Sequence, residues 1–125
     1  MKVLFIEDDP IQIMVMGSKF KLEGIDYVSA GNCKESLAVA IEESPDIILL
    51  DILLGGENGL DVLEKIKSNQ KIKDIPVIVF TNYAEKSSME KAKKIGAVDF
   101  IIKSGVTPKK MVEIVKGYFE KKDKE

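Results

Sequence analysis

The strongest constraint on this chain is a repeated pattern. Short apolar runs recur along it, each followed by a longer segment with helical spacing. Four- or five-residue runs that are apolar on both faces belong inside a sheet covered on both sides. They occur at 2–6, 47–50, 76–80 and 98–102, with a weaker run at 26–30. Between them, Pro10 opens a helical segment that Gly24 stops. Asn32 and Glu35 form a capping-box pattern ahead of 36–43, which Pro45 ends. Leu60, Leu63 and Ile66 mark a third helix, and Met89, Ala92 and Ile95 a fourth, closed by Gly96. Thr107 and Pro108 cap a fifth, whose apolar face is Met111, Ile114, Val115, Tyr118 and Phe119. Five strand–helix units predict an α/β fold, a doubly wound parallel sheet with right-handed crossovers. With 125 residues, one domain over 1–121 is expected, and a charged tail over 122–125 within an end that frays from Glu120.

Composition then removes whole classes of chemistry. The chain has no histidine, one cysteine and 19 basic residues, all lysine. A Ser-His-Asp triad, a Cys-His pair, a histidine zinc site and an internal disulfide are excluded. A net charge of -2 makes no case for nucleic acid. No apolar run approaches the roughly 18–20 residues of a membrane span. The N-terminal run meets Glu7 rather than a small-residue cleavage site, so it is not a secretory signal. A cytoplasmic location is expected. Met1, just before the first strand, is read as a native start, and no DNA-reading segment follows the last helix, so output is expected through a protein contact.

Ligands of such sheets bind at the carboxyl ends of the strands. The first strand ends in Glu7, Asp8 and Asp9, the third in Asp51, the fourth in Thr81 and the fifth in Lys103. Clustered carboxylates repel unless a cation intervenes. Magnesium, a hard ion that prefers oxygen, suits them. A carboxylate beside it can attack a phosphoryl group, and a lysine and a hydroxyl can hold the phosphoryl oxygens.

The motifs V-L-F-I-E-D-D, I-I-L-L-D, G-L-D-V-L eight residues after that Asp, P-V-I-V-F-T and G-A-V-D-F-I-I-K span the chain. Together they resemble the response-regulator receiver domain, in its stand-alone chemotaxis or sporulation-relay form. The resemblance implies a flavodoxin-like (βα)5 fold with strand order 2-1-3-4-5. It implies that Asp51 accepts phosphate from a partner's phosphohistidine, that Glu7, Asp8, Asp51 and the Leu53 backbone carbonyl bind Mg²⁺, and that Thr81 and Lys103 contact the phosphoryl group. Phe100 matches the switch aromatic, whose rotation alters the face made by the fourth helix, fifth strand and fifth helix. The implied partners are a histidine kinase or histidine phosphotransfer protein and a downstream protein target. The chain is expected to be a monomer and no turnover enzyme.

Several positions depart from the family pattern. Gly55 and Gly56 stand in the loop after the acceptor, where proline is usual four residues on, so that loop is expected to be more mobile. Ser104 replaces the proline that usually follows the lysine through a cis bond. Because a cis bond to serine costs about 3 kcal/mol, a trans or strained bond and a rearranged loop before Thr107 are expected. Asn82 stands where a small residue is usual and should narrow access to the acyl phosphate. Leu53 and Tyr83 border the hydrolytic water's position in the family, and slow self-hydrolysis is expected.

Other residues carry ordinary readings. Asp9 caps the first helix, Cys33 is structural, Gly59 admits a tight turn, and Phe100 serves equally as core. Ile11, Ile13, Met14, Val15 and Met16 are more apolar than one core requires, and the surplus is expected to meet a partner helix, a dimer mate or the chain's own core. The alternative function is a phosphate-independent protein-interaction module. A flavin protein needs a phosphate loop where three acids stand, and a haloacid-dehalogenase-like phosphatase needs an Asp-x-Asp that Asp8-Asp9-Pro10 breaks.

Overall fold

The apolar runs become strands and the helix-period segments become helices. A computed structural model describes residues 1–123, with side chains through 121. The sheet strands are β1 (Lys2–Ile6), β2 (Asp26–Ala30), β3 (Ile47–Leu50), β4 (Val77–Thr81) and β5 (Asp99–Ile102). They lie in the order β2-β1-β3-β4-β5, all parallel. The helices are α1 (Pro10–Leu22), α2 (Cys33–Glu43), α3 (Gly59–Ser68), α4 (Lys86–Ile95) and α5 (Pro108–Asp123).

Alternate residues on a strand face opposite ways, and the core divides accordingly. Leu4, Ile6, Ile48, Leu50, Val77 and Val79 meet Ala40 of α2, Leu63 and Ile66 of α3 and Ala92 of α4. Val3, Phe5, Ile47, Leu49, Ile78 and Phe80 meet Phe20 of α1 and Met111, Val115 and Phe119 of α5. Both faces of β1, β3 and β4 are therefore covered, which is why those runs read as continuous rather than alternating. Each fully buried Leu, Ile or Phe contributes roughly 1.5–3 kcal/mol, so this double core dominates stability.

The caps follow local chemistry. Asp9 accepts from Ile11 N at 2.9 Å, Asn32 from Glu35 N at 2.8 Å and Thr107 from Lys110 N at 3.1 Å. On α1, Met16 and Phe20 are buried and Ile13 is half-buried, but Ile11, Met14 and Val15 lie in solvent. The chain's own core thus leaves most of the apolar surplus uncovered. Among the described residues, no helix is long and apolar enough to cross a membrane.

Three local expectations change. The loop after Asp51 is a hairpin: Leu53–Leu54 pairs antiparallel with Glu57–Asn58, and Gly55 and Gly56 turn it, with Gly55 at φ +49°. Glu57 Oε1 then accepts from Cys33 N at 3.1 Å, tying the hairpin to the start of α2. The glycines therefore close a tethered turn rather than loosen a loop. Gly59 answers a close approach, not a tight turn, since a Cβ there would collide with the Asp51 carbonyl. At the C-terminus α5 continues helical through Asp123, where fraying from Glu120 is expected; the last two residues of the expected 122–125 tail lie outside the described residues. The Lys103–Ser104 bond is trans, and Lys103–Gly105 forms a 3₁₀ turn.

Candidate functional site

Strand order reverses between β1 and β3, which run side by side from chain segments that wind outward in opposite directions. Glu7 follows β1 and Asp51 follows β3, with Asp51 N donating to Ile6 O at 3.0 Å. Thr81 ends β4 and Lys103 follows β5. Four strands deliver these side chains to one edge, and the structure brings them into contact.

The Lys103 ammonium donates to Asp51 Oδ2 at 2.8 Å and forms a short ion pair with Glu7 Oε2. It also lies 5.8 Å from the Phe80 ring centroid. Asp51 Oδ1 accepts from Thr81 Oγ1 at 2.6 Å and from Leu53 N at 3.2 Å. Glu7 Oε1 accepts from Asp9 N at 3.1 Å. Glu7, Asp51 and Thr81 are 1%, 6% and 0% exposed, so water does little to screen them.

Two buried carboxylates face one ammonium, and the imbalance appears in their ionisation. Burial pushes Glu7 up to about 7; the bond from Lys103 opposes this, and the neighbouring Asp51 adds to it. Burial also pushes Asp51 upward, but bonds from Lys103, Thr81 and Glu7 outweigh it and hold Asp51 below its ordinary value. Of the two buried carboxyls, Glu7 is therefore the one that holds a proton more readily and Asp51 the one that gives it up.

Asp8 is exposed, next to these acids and seated between two glycines. A Cβ at Gly55 would lie 3.0 Å from Asp8 Oδ2, and one at Gly31 3.8 Å from Glu7 O and 3.9 Å from Asp8 Cα. Among the described residues, no three acidic, cysteine or histidine side chains already form a metal cage. The donor set still fits a hard divalent ion: it is all oxygen, short of positive charge and open at Asp8. Leu53, two residues past Asp51, is 57% exposed, and Leu53 and Tyr83 line one shallow cavity with the hairpin. Phe100 is half-buried against the α2–α4 core and lines a groove with Met89, Lys93 and Val98.

Three contributors escape a reading of strand ends. Asn82 Oδ1 accepts from Ser104 N at 2.9 Å, Glu57 tethers the hairpin, and Asn58 caps α3 through Leu60 N at 2.9 Å. Only Asn58 had a local signal, an Asn one residue before a Gly-led helix. The other two bonds join residues 22 and 24 positions apart, which spacing does not reveal.

The description "response regulator receiver domain" fits residues 3–116 as a family match. The chain is 30% identical over 116 residues to the polar-differentiation response regulator DivK of Brucella anthropi, covering 93% of this chain and 94% of that protein. It is 38% identical over 103 residues to a cyclic di-GMP phosphodiesterase of Thermotoga maritima, covering 82% of this chain and only 27% of that longer protein. Among solved structures, a CheY-like receiver domain protein of Methanospirillum hungatei superimposes with a TM-score of 0.89 at 25% identity, covering 98% of this chain and 96% of the other.

Proposed function

The chain belongs to the response regulator receiver domain family, and from that premise we propose that it is a phosphorylation-controlled signalling switch with Asp51 as acceptor. The observation that carries this reading is the buried Asp51 at the sheet's switch point, touched by both Thr81 and Lys103. An Asp51 carboxylate oxygen attacks the phosphorus of a partner's phosphohistidine. A P–O bond forms, the P–N bond breaks, and the imidazole leaves with the electron pair and takes a proton. Lys103, already against Asp51, holds a phosphoryl oxygen, and the Thr81 hydroxyl turns from Asp51 to another. Receiver domains of this family generally bind Mg²⁺ at this site. Glu7, Asp8, Asp51 and the Leu53 carbonyl would hold it here, where it supplies charge neutralisation on the phosphoryl oxygens.

With no histidine in the chain, the phosphoryl group comes from another molecule: a histidine kinase, a histidine phosphotransfer protein or a small phosphodonor. Movement of Thr81 carries Phe100 with it and changes the α4–β5–α5 face offered to a downstream protein. The chain acts in the cytoplasm, as a monomer, with no nucleic-acid contact, and undergoes only its own phosphorylation and hydrolysis.

The test is intact-mass spectrometry after acetyl phosphate and Mg²⁺. One added phosphoryl group, absent in Asp51→Asn and without Mg²⁺, is expected. An unmodified wild-type chain would overturn the proposal in favour of a phosphate-independent interaction module.

A further inference from the structure

Thr81 and Lys103 both touch Asp51, and the residues that follow them in the chain touch each other. Asn82 Oδ1 accepts from Ser104 N at 2.9 Å. The result is a closed ring: Asp51, Thr81, Asn82, Ser104, Lys103 and back to Asp51. Two of its links are peptide bonds, which transmit position with little slack. The β4–α4 and β5–α5 loops leave adjacent strands that pair as far as Thr81 and Ile102, and the Asn82–Ser104 bond carries the tie one residue beyond the sheet.

We infer that Asn82 is a positioning residue: a strap that holds the Thr81 and Lys103 loops at one fixed separation around Asp51. This rests on the phosphorylation reading above and goes beyond it, because the Asn82 side chain bonds to the backbone of Ser104 and is given no part in holding the phosphoryl group or Mg²⁺. The strap depends on Ser104 for its backbone N–H alone. Proline at 104 would have no hydrogen to donate, whereas alanine would keep it. Its bond also holds the short 3₁₀ turn that begins at Lys103, so the ammonium is presented from a tethered backbone. Asn82 and Ser104 are both exposed, so substitution there opens no cavity in the core. Losing the strap removes none of the oxygen groups that would hold Mg²⁺ but lets the two phosphoryl-holding groups drift apart. The cost falls on the rate of phosphoryl transfer and not on metal binding.

The experiment measures Asp51 phosphorylation by acetyl phosphate across a Mg²⁺ titration in wild type, Asn82→Ala, Ser104→Ala, Ser104→Pro and the double variant Asn82→Ala with Ser104→Pro. Asn82→Ala is expected to lower the rate at saturating Mg²⁺ about fivefold, the worth of one hydrogen bond, with the half-saturating Mg²⁺ concentration unchanged. Ser104→Ala should match wild type, Ser104→Pro should be at least as slow as Asn82→Ala because proline also disfavours the helical backbone at Lys103, and the double variant should be no slower than Ser104→Pro alone, since both changes remove the same bond. An unchanged rate in Asn82→Ala, a loss in Ser104→Ala equal to that in Ser104→Pro, or multiplied losses in the double variant would each overturn the strap while leaving the switch reading intact. A wild-type chain that takes no phosphoryl group overturns both.

Discussion

Thr81 donates its hydroxyl hydrogen to Asp51 Oδ1 at 2.6 Å, both side chains buried and 30 residues apart in the chain. The same hydroxyl oxygen accepts from Tyr83 N at 3.1 Å, which fixes its direction. Thr81→Val keeps the shape and removes both bonds. It should cost about 1–2 kcal/mol in stability, read by urea unfolding. It should also slow phosphorylation of Asp51 by acetyl phosphate without abolishing it, because Lys103 still contacts Oδ2. Unchanged stability and rate would remove Thr81 from the site.

The raised Glu7 carboxyl sets a pH dependence. Its ordinary value of 4.5 rises to about 7, so its stabilising contribution is full below about 4.5 and is lost as pH rises through about 7. Asp51 is held below 3.8, so its contribution is present above that value and is lost as pH falls past it. In EDTA, the thermal midpoint should therefore decline between about pH 4.5 and 7, and Glu7→Gln should flatten that decline. A flat wild-type profile would contradict the burial argument.

Asp51 owes its place partly to Gly59. A Cβ at Gly59 would meet the Asp51 carbonyl and lie 2.8 Å from Ile52 Cα, both backbone atoms that cannot turn aside. Gly59→Ala should cost about 1–3 kcal/mol through overpacking, measured by denaturant unfolding. Glu57→Ala removes the acceptor for Cys33 N at the start of α2 and should cost about 1 kcal/mol. The ordering of these two losses is the check.

The exposed stripe on α1 offers a test of donor docking. Ile13 is half-buried against the core, so Met14, 61% exposed, is the cleaner target. Met14→Lys should change stability by less than about 0.5 kcal/mol and leave phosphorylation by acetyl phosphate intact. Transfer from a phosphohistidine protein should slow. Equal rates from every protein donor would clear this face of a docking role.

Leu53 stands exposed two residues past Asp51, the proposed acceptor, with Tyr83 lining the same cavity. Neither side chain readily orients a water for attack on an acyl phosphate. The phosphorylated form should be long-lived, and Leu53→Asn, which adds a donor and an acceptor, should shorten its lifetime several-fold. Radiolabel loss over time measures both; an unaltered lifetime would argue that water enters elsewhere.

Much of this protein was decided by local pattern. Runs such as Ile47–Leu50, apolar on both faces, require a covered sheet whatever their partners, and Asp9, Asn32 and Thr107 announce helix starts through their own side chains. The strand-end positions of Glu7, Asp51, Thr81 and Lys103 followed from the same rhythm, because a residue directly after a buried strand must emerge at its carboxyl edge. Other features had no local cause. Gly55 and Gly56 suggested looseness, but strand pairing and the reach of Glu57 to α2 made a tethered hairpin of them. Gly59 suggested a turn, but the nearness of the Asp51 carbonyl is what excludes a side chain there. The raised pKa of Glu7 and the bond between Asn82 and Ser104 depend on groups that meet only when β1, β3, β4 and β5 lie side by side. The amino-acid sequence alone determined which residues reach the edge of the sheet. The distances, burial and charge balance among them are properties of the assembled sheet, since they arise between strands that are far apart in the chain.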